Sequence, residues 1–279
     1  MFKRHTLFVV GAGASQELNM PVGTGLAKAI YKKFDIKLDE FGTNPSGQDM
    51  AFVGELMHAY QKRQKEWIAV SRLIHNGILL THSIDEFLEI HQDNDLVKVI
   101  GKAAIAKCIL EAERSSALFY KPQPHRTGLE VLQLENTWHV RFMRRLAQGV
   151  ALQNVRQIFD NVSFIVFNYD RCLEYFLLHA LQYVYDIREE DAYSIVDDLT
   201  IIHPFGDIGP LTQVPFGGPD NLDDLKFTPI SDRIQTYTEA ATSKYNEIQV
   251  EVARAQCFVF LGLRSILKPC GYSRPLTLS

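Results

Sequence analysis

Leu7-Phe8-Val9-Val10-Gly11-Ala12-Gly13-Ala14-Ser15 is the stretch that decides the fold of this chain. Four apolar residues, three of them β-branched or aromatic, run straight into a glycine-spaced turn. A helical pattern follows within about ten residues. Buried strand, glycine turn and helix start, in that order, are how an α/β protein cradles a phosphate. Glycines let the backbone approach the anion, and free N–H groups with the helix dipole hold it. A tight strand-to-helix turn in any α/β domain is the other reading of the same residues.

Working outward, three more short apolar runs resemble buried strands: Ser163–Phe167, Leu199–Ile202 and Cys257–Leu261. They are rich in Val, Ile and Phe without clean alternation, the pattern of a parallel sheet covered on both faces. Helical patterns lie between them. Leu26, Ile30 and Phe34 share one face, as do Trp138, Phe142, Leu146 and Val150. Leu173 to Tyr185 is apolar nearly all round, so that helix is expected against the sheet. A further long helix is expected within Ile230 to Ala255. Residues 45–158 contain no convincing strand and read as several helices, one opened by the capping box Ser83-Ile84-Asp85-Glu86 and one loop marked by Lys121–His125. The expected architecture is a single domain over residues 1–279. It is an α/β fold with a Rossmann-like doubly wound parallel sheet, interrupted by a large helical insertion at 45–158.

Two nucleotide folds are disfavoured. The dehydrogenase fingerprint needs a third glycine and a second strand ending in an acid about 20 residues on. Gln16 occupies the third position, and Lys37 to Asp49 reads as a polar loop. No glycine-lysine-serine/threonine triplet occurs, so a P-loop is excluded.

The net charge of −4 argues against a nucleic-acid-binding surface over the whole molecule. Arg141, Arg144 and Arg145 make a local basic cluster that reads as a solvated helix face. The four cysteines, Cys108, Cys172, Cys257 and Cys270, form no CxxC pair, which suggests a reducing compartment and no cysteine-based metal site. No stretch approaches the ~18 apolar residues of a membrane span. A cytoplasmic protein with no metal is the expectation.

The chemistry-bearing residues fall where the strands end. Ser163–Phe167 runs into Asn168-Tyr169-Asp170, and Leu199–Ile202 runs into His203-Pro204-Phe205-Gly206. Ligands of open α/β sheets bind outside the carboxyl ends of the strands, so the glycine turn, Asn168, Asp170 and His203 should face one crevice. Each has a plainer reading by itself: Asp170 as a helix cap, Asn168 as a turn residue, His203 as a satisfied polar group.

These motifs together resemble the sirtuin family, and its bacterial sirtuin-like branch in particular. The resemblance is carried by GAGAS with Pro21 after it, by Asn168-Tyr169-Asp170 followed by Leu173-Glu174, by the Ser83–Leu88 segment, and by His203 with Gly206. It implies that Gly11, Ala12, Gly13, Ala14 and Ser15 contact the phosphates of NAD, with Pro21, Gly206 and Gly262 also in the nucleotide site. It implies that Asn168 holds the nicotinamide ribose or a reacting water, that Asp170 meets the carboxamide, and that His203 is the general base. The residue types suit that chemistry. Cleaving the nicotinamide–ribose bond passes through an oxocarbenium-like state with a neutral leaving group, so a fixed ribose and a base near neutral pKa are what help.

Departures from the family shape the expected activity. The two CxxC pairs of protein-deacylating members are absent, Val22-Gly23-Thr24 replaces their Asp-Phe-Arg, and Pro204 breaks the His-Gly pair. After Gly262 the chain lacks clear periodicity, which implies an altered C-terminus and weaker adenosine binding. The resulting expectation is an NAD glycohydrolase. It releases nicotinamide and ADP-ribose, and the resemblance places it in bacterial anti-phage defence, as a homo-oligomer or beside a partner protein. A non-catalytic NAD- or ADP-ribose-sensing subunit is the alternative. A protein deacylase fits worst, because the zinc module is missing.

Overall fold

The computed structural model describes residues 2–39, 45–47, 49–120, 128–236, 238–240 and 244–263. The Lys121–His125 loop, Cys270 and the segment after Leu263 lie outside these residues.

Four parallel strands form the central sheet: β1 (Thr6–Val10), β4 (Val162–Val166), β5 (Ile201–Ile202) and β6 (Cys257–Leu261), in the order β5-β4-β1-β6. The register aligns Val10 with both Val166 and Leu261, and Ile165 with Ile202. The strands therefore end nearly level, and the residues that follow them emerge along one edge. The chain first moves outward from β1 through β4 to β5, then crosses to place β6 on the other side of β1. That reversal opens the crevice of a Rossmann-like sheet at β1.

The helices follow from apolar stripes and caps. α1 (Gly23–Lys33) buries Leu26, Ala27 and Ile30, with Phe34 closing its C-terminus. α2 (Met50–Ala59) is capped by the Asp49 carboxylate, which accepts from Phe52 N at 3.0 Å. α3 (Gln64–Gly77) and α4 (Ile84–Ile90) come next. At the α4 start, Ser83 Oγ accepts from Glu86 N at 3.2 Å, and the Glu86 carboxylate accepts from His82 N at 2.7 Å. α5 (Asp95–Ser115) is buried on nearly every face and forms the axis of the insertion. α6 (Val131–Leu134) and α7 (Trp138–Ala147) complete it. α8 (Cys172–Tyr185) and α9 (Glu189–Asp197) connect β4 to β5, and α10 (Phe227–Ile230) and α11 (Tyr245–Arg254) precede β6.

Three expectations change. The segment after α1 is not wholly loop: β2 (Ile36–Leu38) and β3 (Pro45–Gly47) pair antiparallel as a separate two-stranded ribbon. It stands apart from the main sheet, so among the described residues no second Rossmann strand follows α1 there. The long helix expected within Ile230 to Ala255 is divided among the described residues into the 3₁₀ turn Ser231–Arg233, helical residues at 238–240, and α11. Finally, coverage of the sheet is unequal. One face carries Phe8, Val10, Phe164 and Val166 in the large core that includes the insertion. The other buries Leu7, Ile165 and Ile202 beneath Ile248 and Ala255, and leaves Phe258 and Phe260 exposed, because α11 spans only part of it.

No helix among the described residues is long and apolar enough to cross a membrane. Arg141, Arg144 and Arg145 are exposed on α7, as a solvated face requires.

Candidate active site at the strand carboxyl ends

The sequence-predicted polar residues do meet. Asn168, two residues beyond β4, donates from Nδ2 to Ser15 Oγ at 2.9 Å. Ser15 Oγ in turn donates to Asp170 Oδ1 at 3.1 Å, and the same oxygen accepts from Cys172 N at 3.2 Å. Asp170 thus ties the start of α8 to the glycine turn as well as capping it. On the next strand, His203 lies with Nδ1 3.0 Å from the Asn168 carbonyl and Nε2 2.7 Å from Glu174 Oε1. All four sequence-predicted polar residues are buried: Ser15, Asn168, Asp170 and His203. The bonds make one continuous chain from the turn after β1, past β4, to the end of β5.

Sequence reasoning did not assign Glu174 a role. Its position was legible in principle, because Asp170 and Glu174 are four residues apart at the opening of a helix and so share a face. Two buried acceptors in this cluster have no partner: Asn168 Oδ1 and Glu174 Oε2. The Asn168 amide is oriented by its bond to Ser15, which turns Oδ1 away from that hydroxyl. Buried oxygens without donors are costly unless a ligand or water supplies them.

Electrostatics set the two key groups apart. Burial disfavours a charged His203, yet the Glu174 carboxylate outweighs it, with Asp207 adding to the effect, and the imidazole is pushed up to about 9. Burial also raises Asp170 above the usual carboxylate range, helped by Glu174 and opposed by the bonds from Cys172 and Ser15. His139 and His179, by contrast, are pushed down to about 3 and about 4 by burial with no acid to offset it.

The glycine turn differs from the phosphate cradle expected of it. Gly11 N donates to Leu261 O at 2.8 Å, Gly13 N to Gly262 O at 3.0 Å, and Ala14 N to Gly11 O at 2.9 Å. The amides of Gly11 and Gly13 are therefore committed to β6 and its exit. Ala12–Leu18 is a 3₁₀ segment, and the first α-helix starts only at Gly23. The glycines are required by close approach. A Cβ on Gly13 would lie 2.7 Å from Gly262 O, and Gly262 itself adopts φ +61° with its missing Cβ 1.9 Å from Ala14 N. Among the described residues, Ala12 N is the amide of the turn without a backbone partner.

Pro21 lies in the connector before α1, outside this chain of bonds. After Pro204, Gly206 N closes the turn back to His203 O at 3.1 Å, and Gly206 takes φ +75°. Its missing Cβ would meet Arg233 O at 1.8 Å, so the turn needs glycine there.

The support beneath the site was also missed from sequence. Glu113 of α5 and Arg171 are almost wholly buried and pair at 2.5 Å. The remaining Arg171 donors reach the carbonyls of Gly209, Val214 and Pro215, and Glu113 accepts from Gly217 N at 2.9 Å. Every strong group of the pair is satisfied, and the loop after His203 is clamped to α5. Tyr169 adds a hydrogen bond to Asp85 of the insertion.

A surface cavity of about 310 Å³ opens at the other end of the sheet, beside Val162 and Thr200. Its walls mix Arg156 and Arg254 with Asp160 and Asp198. Strand amino ends are not where open α/β sheets bind ligands, so the cluster above is the better candidate. No group of three His, Cys, Asp or Glu among the described residues is arranged to hold a metal. Cys108, Cys172 and Cys257 are free thiols.

Comparison with protein-family models, with curated proteins and with solved structures finds no match for this chain.

Proposed function

We propose that this protein is an NAD glycohydrolase that cleaves NAD to nicotinamide and ADP-ribose. The observation that carries the reading is the pair of buried, unpartnered acceptors, Asn168 Oδ1 and Glu174 Oε2, flanking His203 at the strand carboxyl ends. Two acceptors without donors suit a ligand rich in hydroxyl and amide N–H groups, which is what a nicotinamide ribose presents. Asn168 holds the ribose, Asp170 meets the carboxamide, and His203 and Glu174 together manage the proton. Anti-phage defence, with an oligomer or partner protein, rests on the sirtuin-like resemblance alone.

Two observations favour the second reading, an NAD- or ADP-ribose-binding subunit without turnover. Both ring nitrogens of His203 are engaged, and the amides of Gly11 and Gly13 are spent on Leu261 and Gly262 respectively.

The test is nicotinamide release from NAD by the purified chain, compared with His203→Ala and Asn168→Ala. Loss of about tenfold or more in both variants supports the hydrolase. Tight NAD binding with no release from the unmodified chain selects the sensor, and release only with an acyl-lysine peptide selects a deacylase.

A further inference from the structure

We infer that Glu174, through Oε2, is the proton acceptor of this site, and that His203 is a fixed cation that positions it. The role of acceptor rests on the NAD-cleaving reading; the pairing with His203 stands on geometry. A backbone carbonyl only accepts, so His203 Nδ1, 3.0 Å from Asn168 O, must carry hydrogen. A bare Nε2 would then face Glu174 Oε1 as acceptor against acceptor at 2.7 Å. The shared proton removes that clash, and His203 is left with no lone pair to offer a substrate.

The free lone pairs of the pocket belong to Glu174. Its Oε1 is fixed by His203, while Oε2 is buried with no partner. Asp170 is the weaker candidate, because its Oδ1 already accepts from Ser15 and Cys172. The charged groups around the pair are Asp170 ahead of α8, and Asp207 in the loop after β5, itself bonded to Arg233 at 2.9 Å. The raised titration of His203, to about 9, agrees with an imidazolium held by a carboxylate.

The step balances without a further reactant. A water oxygen bonds to C1′ of the nicotinamide ribose, and the C1′–N bond breaks. Its electron pair goes to the pyridinium nitrogen and leaves neutral nicotinamide. One proton of the water passes to Glu174 Oε2 and from there to solvent.

The experiment pairs nicotinamide release with NMR titration of the His203 imidazole in the full chain, unmodified and as Glu174→Gln. In the unmodified chain His203 is expected to stay protonated through pH 8. In E174Q its midpoint falls by more than one pH unit, and kcat drops about 10²- to 10³-fold with KM within about threefold. His203→Gln keeps the acceptor but frees its position, so kcat falls about tenfold and E174Q is the more damaged variant. Glu174→Asp, which keeps a carboxylate but shortens its reach, reads the same midpoint shift should E174Q not fold. A neutral His203 at pH 7 in the unmodified chain, or E174Q with kcat within threefold, overturns the proposal. An unmodified chain that releases no nicotinamide overturns the acceptor role with the NAD reading, while the titration still decides the pairing.

Discussion

The two halves of the crevice use their polar groups in opposite ways. On the β1–β6 side, Gly11 and Gly13 donate to Leu261 and Gly262, and Gly262 fits against Ala14 with no room for a Cβ. On the β4–β5 side, Ser15, Asn168, Asp170, His203 and Glu174 are linked to one another, yet two buried oxygens are left over. The first half is closed by backbone and serves to join strands. The second is built from side chains and keeps capacity for a ligand. Glycines after a first strand thus show only that two backbones meet closely; where the remaining hydrogen-bond capacity lies shows where chemistry is to be sought.

The strongest way to break the comparison is to remove the support of the β4–β5 half. Arg171→Ala leaves Glu113 buried and stripped of its main partner, with burial pushing its carboxyl up. The expected loss is about 3–5 kcal/mol by denaturant titration, with the loop after His203 released. A loss under about 1 kcal/mol would show that the pair is not what clamps this loop. The β1–β6 half is tested by Gly262→Ala. A left-handed backbone and a Cβ placed 1.9 Å from Ala14 N predict a loss of about 2–3 kcal/mol. If instead nicotinamide release falls while stability holds, the turn is a ligand cradle after all and the division between the halves fails.

The sequence carried the sheet because its strands are short apolar runs of a kind few other elements share. Cys257–Leu261 is read to the residue, and Ser163–Phe167 is shifted from the observed strand by one. The separate β2–β3 ribbon escaped because three-residue strands such as Pro45–Gly47 carry too little pattern. Of the site, Asn168, Asp170 and His203 were legible as polar residues at strand ends, which parallel register brings level. Their partners were not. Glu113 lies 58 residues before Arg171, in a helix that reads as core throughout, and nothing local marks it as the counter-ion. The committed amides of Gly11 and Gly13 were hidden for the same reason, since their acceptors lie at the far end of the chain.

The pH dependence of stability sharpens the contrast between a histidine held by an acid and histidines buried alone. His203 titrates at about 9 in the folded state against about 6.5 unfolded. Its stabilisation is complete below about pH 6.5 and fades as pH rises through about 9. His139 and His179 act in the opposite sense. Folded values of about 3 and about 4 mean that the unfolded chain binds their protons first, so stability falls as pH drops below about 6.5. Urea midpoints should therefore peak near pH 6.5, with the alkaline limb contributing about 1–3 kcal/mol. Glu174→Gln should flatten the alkaline limb alone; loss of the acid limb in that variant would contradict the assignment.

Ser15→Ala probes the seam between the halves with the smallest perturbation. Ser15 belongs to the 3₁₀ segment that follows the glycine turn, yet its hydroxyl works for the other half, accepting from Asn168 and donating to Asp170. Asp170 keeps its bond from Cys172 N, so only Asn168 Nδ2 loses its described partner. The stability cost should be about 1 kcal/mol, a melting shift of about 2–4 °C. The effect on nicotinamide release should be larger in proportion, about tenfold, because an untethered Asn168 amide can rotate and present Nδ2 where Oδ1 is required. A melting shift without loss of release would mean that Asn168 is oriented by its own backbone and that the glycine turn contributes nothing to the site.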